Sequence, residues 1–184
     1  MENTMKNTNK VAAVAATAQY STATAAEQPK IVSGAVTVYD TLPNTRLTEH
    51  FSLREFVISA TAIRHGIINM PPAEAQQRLE ALCREVLEPL RRRFGVIRIT
   101  SGYRSPEVNR LVGGSATSQH LRGEAADISI GSLEVGHKMY EFIRTHLDFD
   151  QLILERKRKT GARWLHVSYR MDGRNRRQAF EMNT

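Results

Sequence analysis

Residues Ser118–Asp127 read SQHLRGEAAD. His120 and Asp127 stand on either side of a tight connection that contains Gly123, a residue that tolerates reversals and backbone angles other residues resist. Ala125 and Ala126 keep the far side of the connection small, which leaves room for the backbone to approach a bound ion. A third donor of the same kind is available further on, in His166 of the strand-like segment WLHVSY, residues 164–169. Two imidazoles and one carboxylate suit a catalytic zinc site: three protein ligands leave the fourth tetrahedral position to water, whose acidity the ion raises. A single Zn2+ is therefore the expected cofactor, on His120, Asp127 and His166.

Upstream of this stretch, Val96–Thr100 (VIRIT) alternates as a strand does, and Ser105, Pro106 and Glu107 supply an N-cap, a first-turn proline and a dipole-matched acid for a short helix closed by Gly113 and Gly114. The turn from Ser101 to Arg104 thus joins strand to helix. Residues 124–130 (EAADISI) read as a strand, and Ser132 opens a helix with Gly136, Met139, Tyr140, Ile143 and Leu147 on one face. Asp150–Glu155 and Trp164–Tyr169 form two apolar segments of a predicted hairpin. On the N-terminal side, Ser52 and Glu55 make a capping-box pair ahead of one helix running through Leu53, Phe56, Val57, Ala60 and Ile63 to Gly66. A second helix carries Leu79, Leu82, Cys83, Val86, Leu87 and Leu90 and ends at Phe94 and Gly95, which makes Cys83 a core residue. Helices first, then strands with helices between them, point to an α+β domain rather than a doubly wound one.

Composition bounds the rest. The chain has 184 residues, 41% hydrophobic and 24% charged, with one cysteine, so intrachain disulfides and a thiolate metal cage are both excluded. No apolar run reaches the roughly 18 residues of a membrane span. The net charge of +7 is concentrated in Arg156, Lys157, Arg158, Lys159 and Arg163, while residues 47–155 are close to neutral. That loop reads either as a solvated hairpin tip or as a contact for anionic cell-wall polymer. The pattern argues against nucleic acid as a partner, because no aromatic residues interleave with the basic run. Residues 1–46 are rich in Ala, Thr, Asn and Ser and read as a low-complexity arm or linker. Lys6 to Ala18 has the charge order of a weak export signal, and Ile31–Tyr39 (IVSGAVTVY) suits a short strand. The expected organisation is an arm over 1–46, a folded domain over 47–170 and a basic tail over 171–184.

The pattern S-x-H-x-x-G-x-A-x-D at 118–127, the upstream SGYRS at 101–105, the downstream WLHVS at 164–168 and the opening LTEHFSLREF at 47–56 together resemble the zinc D-alanyl-D-alanine carboxypeptidase family, which includes phage L-alanyl-D-glutamate endopeptidases and shares its fold with the hedgehog signalling domain. The resemblance runs from Leu47 to Tyr169. It implies a small antiparallel sheet that carries the metal site and is packed with helices. It also implies that His120, Asp127 and His166 hold the zinc, that Arg104 lies beside the substrate carboxylate and scissile carbonyl, and that Ser118 supports the site by hydrogen bonding to it or to substrate. A guanidinium on such a turn is suited to gripping a carboxylate through parallel hydrogen bonds.

One position departs from the family. Its members usually carry an acid three residues before the last zinc histidine as general base, and here that residue is Arg163, which stays protonated. If Glu155 pairs with Trp164 in the hairpin, Ile153 lies opposite His166 and Glu155 points to the ligand face. Glu155 is thus the candidate base, with Glu124 as a second candidate. His50, His65, His137 and His146 read as packed or surface residues, and Trp164 as a wall of the cleft or part of the core.

The resemblance implies a zinc metallopeptidase acting on peptidoglycan stem peptides, in a bacteriophage or prophage lysis or entry enzyme working at the periplasm or cell wall. The rival reading is a virion or assembly protein that keeps the fold but has lost catalysis with the acid replaced by Arg163. In that reading the N-terminal arm binds a virion partner.

Overall fold

The computed structural model describes residues 45–183. The predicted arm, export-signal stretch and strand at Ile31–Tyr39 lie outside the described residues, apart from Thr45 and Arg46 at the arm's end. The first described elements are helical: α1 (Leu53–Val57), α2 (Ala60–His65), α3 (Ala73–Leu82), a π turn (Cys83–Leu87) and α4 (Glu88–Phe94). The capping box forms as expected, with the Ser52 backbone N–H donating to Glu55 Oε1 at 2.8 Å.

The single helix expected from Leu53 to Ile63 is two helices. Ile58 is extended, and Ser59 caps a fresh start by accepting from the Ala62 N–H. The apolar period alone runs through this break, because Ile63 is 40% exposed and contributes little to the core. Further on, α3, the π turn and α4 follow without interruption. Pro89 explains the π turn: it has no N–H, and its ring crowds the carbonyl four residues back. The ladder widens, and the Glu88 N–H bonds to the Cys83 carbonyl five residues earlier.

The five described strands make one sheet in the order β1 (Arg98–Ser101), β2 (Ala125–Ser129), β4 (Arg163–Ser168), β3 (Gln151–Arg156), β5 (Gln178–Asn183). The first four pair antiparallel. Helix α5 (Pro106–Leu111) follows β1, and α6 (Leu133–His146) follows β2. One face of the sheet presents Ala126, Ile128, Leu152, Leu154, Leu165 and Val167, which join the helices in a single buried cluster with Phe56, Leu79, Leu82, Leu87 and Ile143. Cys83 is fully buried in that cluster, and burial pushes its thiol well above the usual range. Burying apolar side chains at about 25 cal/mol per Å2 is what holds sheet and helices together.

The expected basic tail over 171–184 contains a strand instead, and the sheet is therefore mixed. β5 runs parallel to β3, with Leu152 beside Ala179 and Ile153 beside Phe180. The buried Asp150 carboxylate fixes this pairing. It accepts from the Arg176 guanidinium at 2.6 Å and from the Arg176 N–H at 3.1 Å, and the Asp150 carbonyl accepts from the Gln178 N–H at 2.9 Å. His50 is likewise structural: its N–H and ring Nδ1 both lie 2.8 Å from the buried Glu88 carboxylate, tying the entry segment to α4. No helix among the described residues is long and apolar enough to cross a membrane.

Candidate metal centre

The hairpin register is the one the sequence suggests. Glu155 faces Trp164 and Ile153 faces His166, while on the other side of β4 Asp127 faces His166. Since strand side chains alternate, Asp127, His166 and Glu155 share the face turned away from the helical core. The third donor comes from a 3-10 turn, Gln119–Arg122, that leads into β2. That turn ends at Gly123 with φ of +71°, and a Cβ there would run into the Ala75 carbonyl oxygen at the start of α3. Only glycine suits both the left-handed angle and the close approach.

His120, Asp127 and His166 bring one ligand atom each into a group whose members all lie within 4.8 Å of one another, and all three residues are buried. His166 Nδ1 is 2.9 Å and His120 Nε2 3.3 Å from Asp127 Oδ1. The other ring nitrogen of His120 lies 2.6 Å from the Gly102 carbonyl. A carbonyl only accepts, so Nδ1 carries the proton and the Nε2 lone pair faces the other two donors, the orientation a metal ligand requires. Burial holds His120 below the usual imidazole range, against the pull of Asp127. Burial alone would raise the Asp127 carboxyl, but its two histidine partners outweigh it and hold the group far below the usual carboxylate range. Two imidazoles and a carboxylate converging on one point fit a zinc ion in donor type.

The remaining expected residues surround this group. Arg104 donates from Nη2 to Asp127 Oδ2 at 2.6 Å and from Nε to Ser101 Oγ at 2.8 Å, which leaves Nη1 without a hydrogen-bond partner among the described residues. Glu155 lies close enough to Asp127 to feel its charge: burial first, then the Asp127 carboxylate, raises its carboxyl above the usual range. Such a shift toward neutrality is what a group that exchanges protons needs. Glu124, by contrast, is bound to Arg122 at 2.8 Å and lies 3.8 Å from Arg78, so its charge is committed to holding the 3-10 turn against α3. The Ser118 side chain makes no capping bond, while its carbonyl accepts from the Leu121 N–H at 3.2 Å.

A cleft of about 510 Å3 opens beside Asp127, lined by Thr100, Ser129, Arg163 and Trp164 among others. Trp164 is thus a cleft wall, with Lys157 Nζ 5.8 Å from its ring centre. The loop carrying Arg156–Ala162 is exposed. Two supporting residues escape the motif reading. Gln119 Oε1 accepts from Ser168 Oγ at 2.8 Å, linking the neighbour of one histidine to the strand that bears the other. Asn69, between α2 and α3, is fully buried and bonded to the backbone around Arg104. Gln119 sits inside the metal motif as an uninterpreted polar position, and Asn69 lies far along the chain from the turn it holds, where short-range patterns carry no signal.

An α+β fold with Asp127 and His166 on the open face of its sheet and His120 on the turn beside them is consistent with a metallopeptidase of the zinc D-alanyl-D-alanine carboxypeptidase-like kind. A family model described as Peptidase M15 matches residues 49–168, and the chain belongs to that zinc-dependent family. No curated protein matches the chain.

Proposed function

We propose that this chain hydrolyses peptide bonds in the stem peptides of bacterial peptidoglycan, with one zinc held by His120, Asp127 and His166. The observation that carries a catalytic reading is the placement of Glu155. The hairpin delivers an acid to the ligand face although Arg163 occupies the position where the family usually carries one. When bound, the zinc supplies Lewis-acid polarisation of a carbonyl and lowers the pKa of water.

The protein's own residues do the rest. Arg104 orients the substrate by offering its unpartnered Nη1 to a carboxylate or carbonyl oxygen. Glu155 Oε takes the proton of the attacking water and returns it to the leaving amine, a role supported by its raised pKa and by its pairing with Trp164, which puts it on the ligand face of the sheet. Ser118, at the entrance to the 3-10 turn, contributes a hydroxyl to substrate. The resemblance of residues 47–56 to phage and prophage members supports a lysis or entry enzyme that meets its substrate at the cell wall, and the exposed cationic loop at 156–159 suits an anionic polymer there.

The test is zinc content by elemental analysis, together with peptide release from purified sacculi followed by mass, with His120→Ala as control. About one zinc per chain and hydrolysis lost in the control supports the reading and identifies the bond. Zinc without hydrolysis overturns it in favour of a non-catalytic virion component, and absence of zinc removes its basis.

A further inference from the structure

We infer that Asn69 is a positioning residue for Arg104: its side chain clamps the backbone on both sides of that arginine and thereby sets the guanidinium in the site. The inference takes from the proposed function the role of Arg104 in holding substrate.

Asn69 lies in the extended segment between Gly66, which closes α2 in a left-handed conformation, and Pro71–Pro72, which precede α3. It is 0% exposed. Its amide makes three hydrogen bonds, all to backbone and all to distant parts of the chain. Nδ2 donates to the Val57 carbonyl at 2.8 Å and to the Tyr103 carbonyl at 3.0 Å, and Oδ1 accepts from the Ser105 N–H at 2.7 Å. Tyr103 and Ser105 are the immediate neighbours of Arg104. One planar group therefore fixes the carbonyl before Arg104 and the N–H after it, which are the two peptide units that set the direction of the Arg104 Cα–Cβ bond.

The rest of the turn is held by the metal site itself. The Arg104 N–H donates to the His120 carbonyl at 3.1 Å, and the Gly102 carbonyl accepts from the His120 ring at 2.6 Å. With Asn69 on the outer side and His120 on the inner side, each residue from 102 to 105 has its backbone tied. This matters because, among the described residues, the Arg104 side chain hydrogen-bonds only to Ser101 Oγ and Asp127 Oδ2. A rotation at Cα would withdraw Nη1 from wherever a substrate carboxylate binds, and a misplacement of about 1 Å in a positioning group is enough to cost roughly a hundredfold in rate. Neither Asp nor Ala can replace Asn69. Aspartate would set a carboxylate against the carbonyl oxygens of Val57 and Tyr103, and alanine would leave three buried backbone groups unpaired.

The experiment compares the full chain with Asn69→Ala, Arg104→Ala and the double variant. The readouts are kinetics on a stem peptide that the wild type cleaves, zinc content, and the arginine Nε–Hε resonances by NMR, with the Arg104 signal assigned by its loss in Arg104→Ala. The expected result for Asn69→Ala is unchanged zinc, kcat/KM lowered about ten- to a hundredfold, and an Arg104 signal that shifts or broadens. In the Arg104→Ala background the same substitution should cost less than about twofold, because its effect passes through the missing side chain. Equal losses in both backgrounds, or an undisturbed Arg104 signal, would overturn the inference. Asn69→Ser, a small uncharged side chain that loses the paired donors to Val57 and Tyr103 and leaves room for water to reach the freed backbone groups, answers the same questions if the alanine variant does not fold. A wild-type chain that cleaves no peptide sinks the peptidase reading alone, since the NMR comparison still reports whether Asn69 holds Arg104.

Discussion

Glu155 and Trp164 sit directly opposite each other across β3 and β4, and this one pairing carries the glutamate to the face that holds His166 and Asp127. A shift of the hairpin by one residue would turn Glu155 into the helical core and bring Arg156 to the ligands. Register, set by hydrophobic burial of Leu152, Leu154, Leu165 and Val167, is therefore what supplies the site with an acid.

Glu155→Gln keeps the shape of the side chain and removes its ability to exchange a proton. Turnover on stem peptides should fall by about 10^2- to 10^4-fold, with zinc content and melting temperature close to wild type. Wild-type turnover in this variant would show that another group moves the proton.

The Asp150–Arg176 pair predicts an acid-labile C-terminal strand. Burial would raise the Asp150 carboxyl, but the Arg176 side-chain and backbone bonds outweigh burial and hold it below its ordinary value. A folded-state pKa below the unfolded one means that the stabilisation is fully present above the unfolded pKa of about 3.9 and is lost as pH falls toward the folded one. Asp150→Asn should cost about 1–2 kcal/mol at neutral pH, less than a fully buried pair because the Arg176 side chain is 54% exposed. It should also flatten the loss of stability between neutral pH and pH 3. Denaturant melts at both pH values check this, and parallel losses for wild type and variant would count against it.

Arg163 has an enclosed Nε with no hydrogen-bond partner among the described residues, an arrangement that costs about 1–3 kcal/mol. Replacing it with methionine, of similar length and without a buried donor, should leave the melting temperature unchanged or raise it. A drop of several degrees would mean that the guanidinium makes a stabilising contact.

Gly123→Ala combines a strained φ with a collision against Ala75. It should destabilise the fold by about 1–3 kcal/mol and weaken zinc retention, because the 3-10 turn that carries His120 must move. Zinc titration against a chromophoric chelator measures the second effect, and wild-type affinity would show that the turn adapts elsewhere.

The parts of the fold that could be read in the sequence were those set by local physics. Ser52 and Glu55 are three residues apart, the hairpin strands alternate, and the ligand motifs contain their own small residues. The parts that could not be read depend on partners distant in the chain. β5 is held parallel by Asp150, 26 residues before Arg176, and nothing in residues 171–184 announces that acceptor. The break at Ile58 coincides with a carbonyl, that of Val57, bonded to Asn69, while the apolar period continues across it. Asn69 itself lies in irregular chain, and its meaning resides in groups up to 36 residues away. Convergence of the two motifs on one point was legible because each already pointed to a metal donor. The arrangement of Gln119 and Ser168 behind them was not.

The antiparallel seam between β2 and β4 joins Asp127 to His166 across 39 residues of chain. An ion bound there would rivet two neighbouring strands that the order of synthesis keeps far apart. His166 meets Asp127 only where β4 pairs with β2, so metal binding requires that long-range pairing, and its free energy adds to the stability of the whole sheet. Stripping the metal should then loosen the hairpin and the parallel edge strand together, well beyond the few residues that touch it.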